Sequence, residues 1–206
     1  ERMGQIHYEA GRFDSALAAY EQLAEIARED EDYFEAQLNV GSCLVRLGQP
    51  DRALSIYGRI LPGDLRNENA GRVSLAMADA QNRRAEHEAA VELLTRVSTD
   101  FVNRTLGIEA DFRLGYTYEV YQQRYDLARG AYEKAARAQT QSVFKDQAGR
   151  RLANLKHLEE MQAAEGEVDA QENSRAEAAL QVAEFSYFES NEPEKALAQY
   201  RLVEEE

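Results

Sequence analysis

Three histidines, one cysteine and a large excess of carboxylates are the residues through which this chain could do chemistry. His7, His87 and His157 stand 80 and 70 residues apart, and none has a second donor at ligand spacing. A metal site needs three or four converging donors, so the sequence predicts no metal and no cofactor. Cys43 is the only cysteine, which rules out an intramolecular disulfide. Between Gly41 and Leu44 it reads as a small buried hydrophobe rather than a reactive thiol. No Gly-rich phosphate loop, His-Glu-x-x-His helix or serine nucleophile elbow occurs. Carboxylate pairs such as Glu159 and Glu160 are common among 38 acids and read as a solvated face. The expected chemistry is recognition, and the chain is not expected to be an enzyme.

The charge balance narrows what could be recognised. A net charge of −14 disfavours nucleic acid, because phosphate binding needs a basic surface. No apolar run is long enough to cross a bilayer, and no signal peptide or lipidation motif is present. Direct membrane insertion is therefore not expected of these residues, and cytoplasm and periplasm both stay open. Glu1 begins the chain without a methionine, and Glu206 falls in the middle of a helix-like pattern. The chain reads as a fragment of a larger protein.

The elements that must position any recognition surface are helical hairpins. Residues 40–61 carry the unit in full. Gly41, Leu44 and Gly48 run up one helix and end it; Pro50 and Asp51 open a second, along which Ala53, Tyr57 and Ile60 fall three and four apart. A small residue lets two backbones approach, and an aromatic four residues later fills the space beside it. The same spacing occurs in Gly4, His7, Gly11, Phe13, Ala16, Tyr20 and Leu23, and again in Tyr187, Asn191, Pro193, Ala196, Tyr200 and Val203. Ala16, Ala53, Ala89, Ala128 and Ala196 mark the second helices at intervals of 37, 36, 39 and 68 residues.

This pattern resembles the tetratricopeptide repeat, a helix-turn-helix unit of about 34 residues. The resemblance implies an all-α fold, an α-solenoid of antiparallel helical hairpins wound as a right-handed superhelix, and it points to a bacterial protein of that kind. Repeats are expected through 1–162, as hairpins near 1–28, 33–61, 67–98 and 108–138, followed by a helix over 142–162. In the third hairpin Met77 stands where a small residue is expected, and Arg83-Arg84 replaces the turn glycine. The fourth has one extra residue in its turn, Gln122-Gln123-Arg124. Residues 163–173 hold little that could be buried and read as an acidic degenerate repeat or linker, with a polar helix as the alternative. Residues 174–206 read as a further hairpin opened by the Ser174–Glu177 capping box. Ten to twelve helices and no sheet are expected in all.

In a stack of this kind the first helices line a concave groove. The helical turn offset from the packing residues then selects Gln5 and Tyr8 in the first hairpin. It selects Phe112, Arg113, Tyr116 and Glu119 in the fourth, and Gln181, Phe185 and Phe188 in the last. Clamp-type members of the family hold acidic C-termini with Lys and Asn; at those positions this chain has Glu1 and Gln5, Asn39, and Gly71 and Leu75. Only Asn39 matches, so a terminal carboxylate is not the expected ligand. Flanking acids, Glu9, Glu109, Glu119 and Glu189, suggest a basic or amphipathic protein or peptide partner. Two readings follow: a non-catalytic scaffold that binds a partner segment in its groove, or an assembly subunit that contacts partners through its ends or outer face. An accessory part of a bacterial envelope complex fits either by analogy.

Overall fold

The computed structural model of the protein describes residues 2–27, 31–64 and 66–167, with 161–167 as backbone only. The chain divides into two compact units, 1–152 and 153–206. Within the first lie four hairpins: α1 (Arg2–Glu9) with α2 (Phe13–Ala27), α3 (Glu31–Arg46) with α4 (Pro50–Ile60), α5 (Glu68–Arg83) with α6 (His87–Asp100), and α7 (Thr105–Tyr116) with α8 (Tyr125–Ala136). A π-helical turn, Thr117–Tyr121, continues α7, and α9 (Val143–Glu167) runs across the boundary between the units. Nine α-helices and no strand make up the described residues. Helix α9 continues through 163–167; 168–173 and the expected hairpin 174–206 lie outside the described residues.

Local chemistry explains the ends. Pro50 opens α4, where the missing N–H costs nothing. Asn67 caps α5, its Oδ1 accepting the Asn69 N–H at 2.8 Å. Asp14, which could have capped α2, instead sits inside the first turn and meets the positive end of the helix dipole. Each hairpin turns through one left-handed residue. In the first two it is Gly11 and Gly48; in the third and fourth it is Ala85 and Gln123, at φ 62° and 54°. The sequence pointed to Arg83-Arg84 as the third turn, but the positive φ falls on the next residue, Ala85.

The core is the small-residue and ring pattern itself. Ala16, Ala53 and Ala128 are fully buried, as are Tyr57 and Tyr132, with Tyr20 close behind. A Cβ on Gly41 would lie 2.2 Å from the Tyr57 ring, and one on Gly115 would lie 2.6 Å from the Tyr132 ring. Those glycines are the seats of the rings. The third hairpin follows the same plan one residue later than the spacing suggested: Ala78, Ala90 and Leu94 are buried, while Met77, Ala89 and Leu93 are only partly so. Its register is therefore regular, with Ala16, Ala53, Ala90 and Ala128 at intervals of 37, 37 and 38. The alanine pair Ala89-Ala90 hid the shift, because burial and not residue type distinguishes its members.

Two polar networks tie successive hairpins. Asp111 on α7 accepts from Ser98 on α6 at 2.5 Å and from Lys134 on α8 at 3.0 Å. Asn82 on α5 donates to Thr117 at 2.9 Å, and its carbonyl faces His87 Nδ1 at 3.2 Å. Buried polar atoms paired in this way avoid a desolvation cost of about 1–3 kcal/mol each.

Candidate functional site

The first helices of neighbouring hairpins touch one another, α3 with α5 and α5 with α7. Their exposed faces form a groove of about 420 Å³, lined by Tyr8 of α1, Leu38, Asn39, Ser42 and Arg46 of α3, Arg72, Leu75, Ala76 and Asp79 of α5, and Leu106, Glu109 and Arg113 of α7. The 37-residue period places these residues in rows. Glu35, Arg72 and Glu109 form one row; Leu38, Leu75 and Phe112 a second; Asn39, Ala76 and Arg113 a third; Ser42, Asp79 and Tyr116 a fourth. Backbone position repeats along each row while side-chain chemistry does not. That combination lets one scaffold present a specific surface.

Ion pairs tie neighbouring hairpins, along a row for Arg72 and Glu35 and between rows for Arg113 and Asp79. Arg72 Nη2 donates to Glu35 Oε2 at 2.7 Å, and the other arm of the fork also meets that carboxylate. Arg113 Nη1 lies 3.0 Å from Asp79, and its Nη2 lies 2.6 Å from Glu109. Burial alone would lower the Arg113 pKa, but the two carboxylates outweigh it and hold the guanidinium firmly charged. For Arg72 the hydrogen bond to Glu35 does the same. Arg46 stacks over the Phe13 ring at 5.0 Å. Burial pushes the Tyr8 phenol up, with Arg46 close enough to oppose the shift. Donors and acceptors thus alternate across the groove floor.

The residues singled out from the sequence do not all come together. Tyr8, Asn39 and Arg113 come from three different hairpins and line the one groove. Phe112, Arg113 and Tyr116 line a second cavity of about 230 Å³, which shares Asp79 and Arg113 with the first. Gln5 is exposed and donates to Glu9 at 3.0 Å on its own helix. Glu119 is held between the Tyr132 hydroxyl, at 2.6 Å, and Arg151 Nη1, at 3.0 Å. The start of α9 also reaches the aromatic members: Phe144 packs 5.7 Å from Phe112, and the Arg151 guanidinium lies 5.1 Å over the Tyr116 ring. Gln181, Phe185 and Phe188 lie outside the described residues. Of the acids expected to attract a basic partner, Glu9, Glu109 and Glu119 are each engaged within the chain.

Sequence reasoning missed Arg46, Arg72 and Asp79. For Arg72 and Arg113 a signal existed, since each follows an acid by about one repeat length, Glu35 and Asp79. Among 38 acids that signal could not be separated from coincidence. Gly71, a clamp position, is spent on packing: a Cβ there would lie 2.9 Å from the Phe101 ring. No group of three or more His, Cys, Asp or Glu is placed to hold a metal among the described residues, and none of their helices is long and apolar enough to cross a membrane.

Residues 1–66 match the family model described as tetratricopeptide repeat. No curated protein matches the chain. Among solved structures, "MamA MSR-1 C2" is similar at 20% identity and a TM-score of 0.44, over 98% of this chain and 91% of that one. "Crystal structure of MamA" is similar at 18% identity and a TM-score of 0.46, over 98% of this chain and 93% of that one.

Proposed function

From a chain whose residues 1–66 are tetratricopeptide repeats, we propose a non-catalytic protein-interaction scaffold that holds a segment of a partner protein along the groove. The observation that carries the reading is the convergence of Tyr8, Asn39 and Arg113, from the first, second and fourth hairpins, on one cavity. A groove whose floor alternates guanidinium, amide, hydroxyl and carboxylate suits an extended polypeptide, which offers both donors and acceptors. The chain's acidic balance favours a protein partner over nucleic acid.

The experiment is site-specific photo-cross-linking in extract of the source organism. A cross-linking amino acid replaces Asn39 or Ala76 in the groove, and Arg59 or Glu92 on the second helices. A partner captured from the groove positions and not from the others supports the reading. Capture from Arg59 and Glu92 alone, or from none of the four in folded protein, overturns it.

A second reading, an assembly subunit joined through its ends, has its own observation. Met3 and Ile6 occupy the register positions of Val40 and Cys43 one period earlier, yet they are 67% and 57% exposed while Val40 and Cys43 are buried. In the second hairpin that face packs on α2. In the first it is open to a neighbouring helix.

A further inference from the structure

The fourth hairpin has one more residue between its glycine seat and its ring than the second: Gly115 to Tyr132 against Gly41 to Tyr57. The π turn Thr117–Tyr121 and the left-handed Gln123 absorb it. Turns of this kind widen one helical coil and recur at functional sites. Here the widened coil carries Tyr121, whose ring stacks on His87 at 5.0 Å and meets Tyr116 edge-on at 6.0 Å. The Tyr116 and Tyr121 rings, with Phe112, Phe144 and Leu94, wall the cavity of about 230 Å³ that opens beside the groove. The second hairpin has no such niche in its sequence, since Leu38 and Ser42 stand where Phe112 and Tyr116 do.

We propose that this niche is a side-chain pocket of the groove, taking one large apolar or aromatic side chain of the bound segment while Asp79 holds a cationic neighbour of that side chain. The proposal rests on the groove reading above and gives the partner its chemistry. Aromatic walls bury a large apolar area at low entropy cost. Arg151 already covers one face of Tyr116, which leaves the niche to an apolar insert and the cation to the mouth. At the mouth, Arg113 is shared by two carboxylates, Asp79 and Glu109, so Asp79 does not have that cation to itself. The Asp79 side chain is 60% exposed and faces both cavities. An anionic neighbour would meet the Asp79 and Glu109 carboxylates.

The test uses the full chain and three phenylalanine probes in saturation-transfer NMR: phenylalaninamide (cationic), N-acetylphenylalaninamide (neutral) and N-acetylphenylalanine (anionic). Binding in the order cationic, neutral, anionic is expected. Asp79→Asn should bring the cationic probe to the neutral level, a loss of about two- to fivefold. Tyr121→Leu should weaken all three. Should Tyr121→Leu lower the melting temperature, Tyr116→Leu serves in its place. Equal binding of the three probes, or unchanged binding in a folded ring variant, overturns the niche. Cross-linking at Asn39 that persists while no probe binds removes the niche and leaves the groove reading. Probe binding without any cross-linking at Asn39 or Ala76 does the reverse.

Discussion

The second and fourth hairpins are built on the same seat and closed in different ways. Both press a tyrosine ring onto a glycine, Tyr57 on Gly41 and Tyr132 on Gly115, and both rings are buried. In the second hairpin the turn is a glycine, the neighbouring register position is a buried thiol, Cys43, and the phenol lies 3.5 Å from Ser42 Oγ. In the fourth the turn is Gln123, the corresponding position is Thr117 at the start of the π turn, and the phenol donates to Glu119 at 2.6 Å. Glu119 is in turn fixed by Arg151. The packing seat is thus conserved within the chain, while the shell around it shifts from apolar to ionic. The seat needs only volume and a close approach. The shell is free to specialise, and the aromatic niche arises where it has changed most.

The largest effect should come from removing the shared feature. Tyr57→Ala and Tyr132→Ala each empty a fully enclosed site, and each should cost about 3–5 kcal/mol in chemical denaturation. A much smaller loss at one of them would break the equivalence of the two seats.

Alkaline pH separates the shells. Burial, with Glu21 nearby, pushes the Cys43 thiol from its ordinary 9.0 to about 11. The folded state therefore holds that proton more tightly than the unfolded chain. Its stabilising effect is complete below pH 9 and is lost as pH rises to about 11, by roughly 2–3 kcal/mol. Urea melts near neutral pH and near the upper end of that window should show the drop, and Cys43→Ala should remove the part of it that sets in from pH 9. Thr117 adds nothing comparable, because a hydroxyl does not titrate there. The buried phenols of Tyr57 and Tyr132 are also raised above their ordinary 10.0, so the part of the fall that begins near pH 10 belongs to both hairpins.

Removing only the hydroxyl sharpens the contrast further. Tyr132→Phe takes from Glu119 one of its two donors, leaving Arg151, and should cost about 1.5–3 kcal/mol. Tyr57→Phe gives up a long contact to Ser42 and should cost under about 1 kcal/mol. Equal losses would mean that the ionic shell adds nothing.

The smallest effects lie in the turns. Ala85→Gly and Gln123→Gly relieve side chains held at positive φ and should each stabilise by about 0.5–1 kcal/mol. Thermal melts of the single variants suffice. Gly48→Ala, the mirror experiment, should destabilise by a similar amount.

Much of this architecture was legible in the residues. Ala16, Ala53 and Ala128, with Tyr20, Tyr57 and Tyr132, announce both the helical hairpin and its period, because side-chain volume at fixed helical spacing is a local property. The offset rule likewise selected Tyr8 and Arg113, which the groove brings together. By itself, then, the sequence determined the fold class, the approximate period, and the buried faces of the first, second and fourth hairpins. Tertiary structure decided the rest. It chose Ala90 over Ala89 in the third hairpin, since either satisfies the pattern and only one can face Leu94's layer. It paired Arg72 with Glu35, and Arg113 with Asp79, out of many available acids. It also brought Phe144 and Arg151 of α9 onto Phe112, Tyr116 and Glu119, turning residues chosen for a groove into walls and braces. The physical reason is range. Periodicity records contacts within a helix and its partner, whereas pairings between hairpins depend on where stacking places side chains more than thirty residues apart.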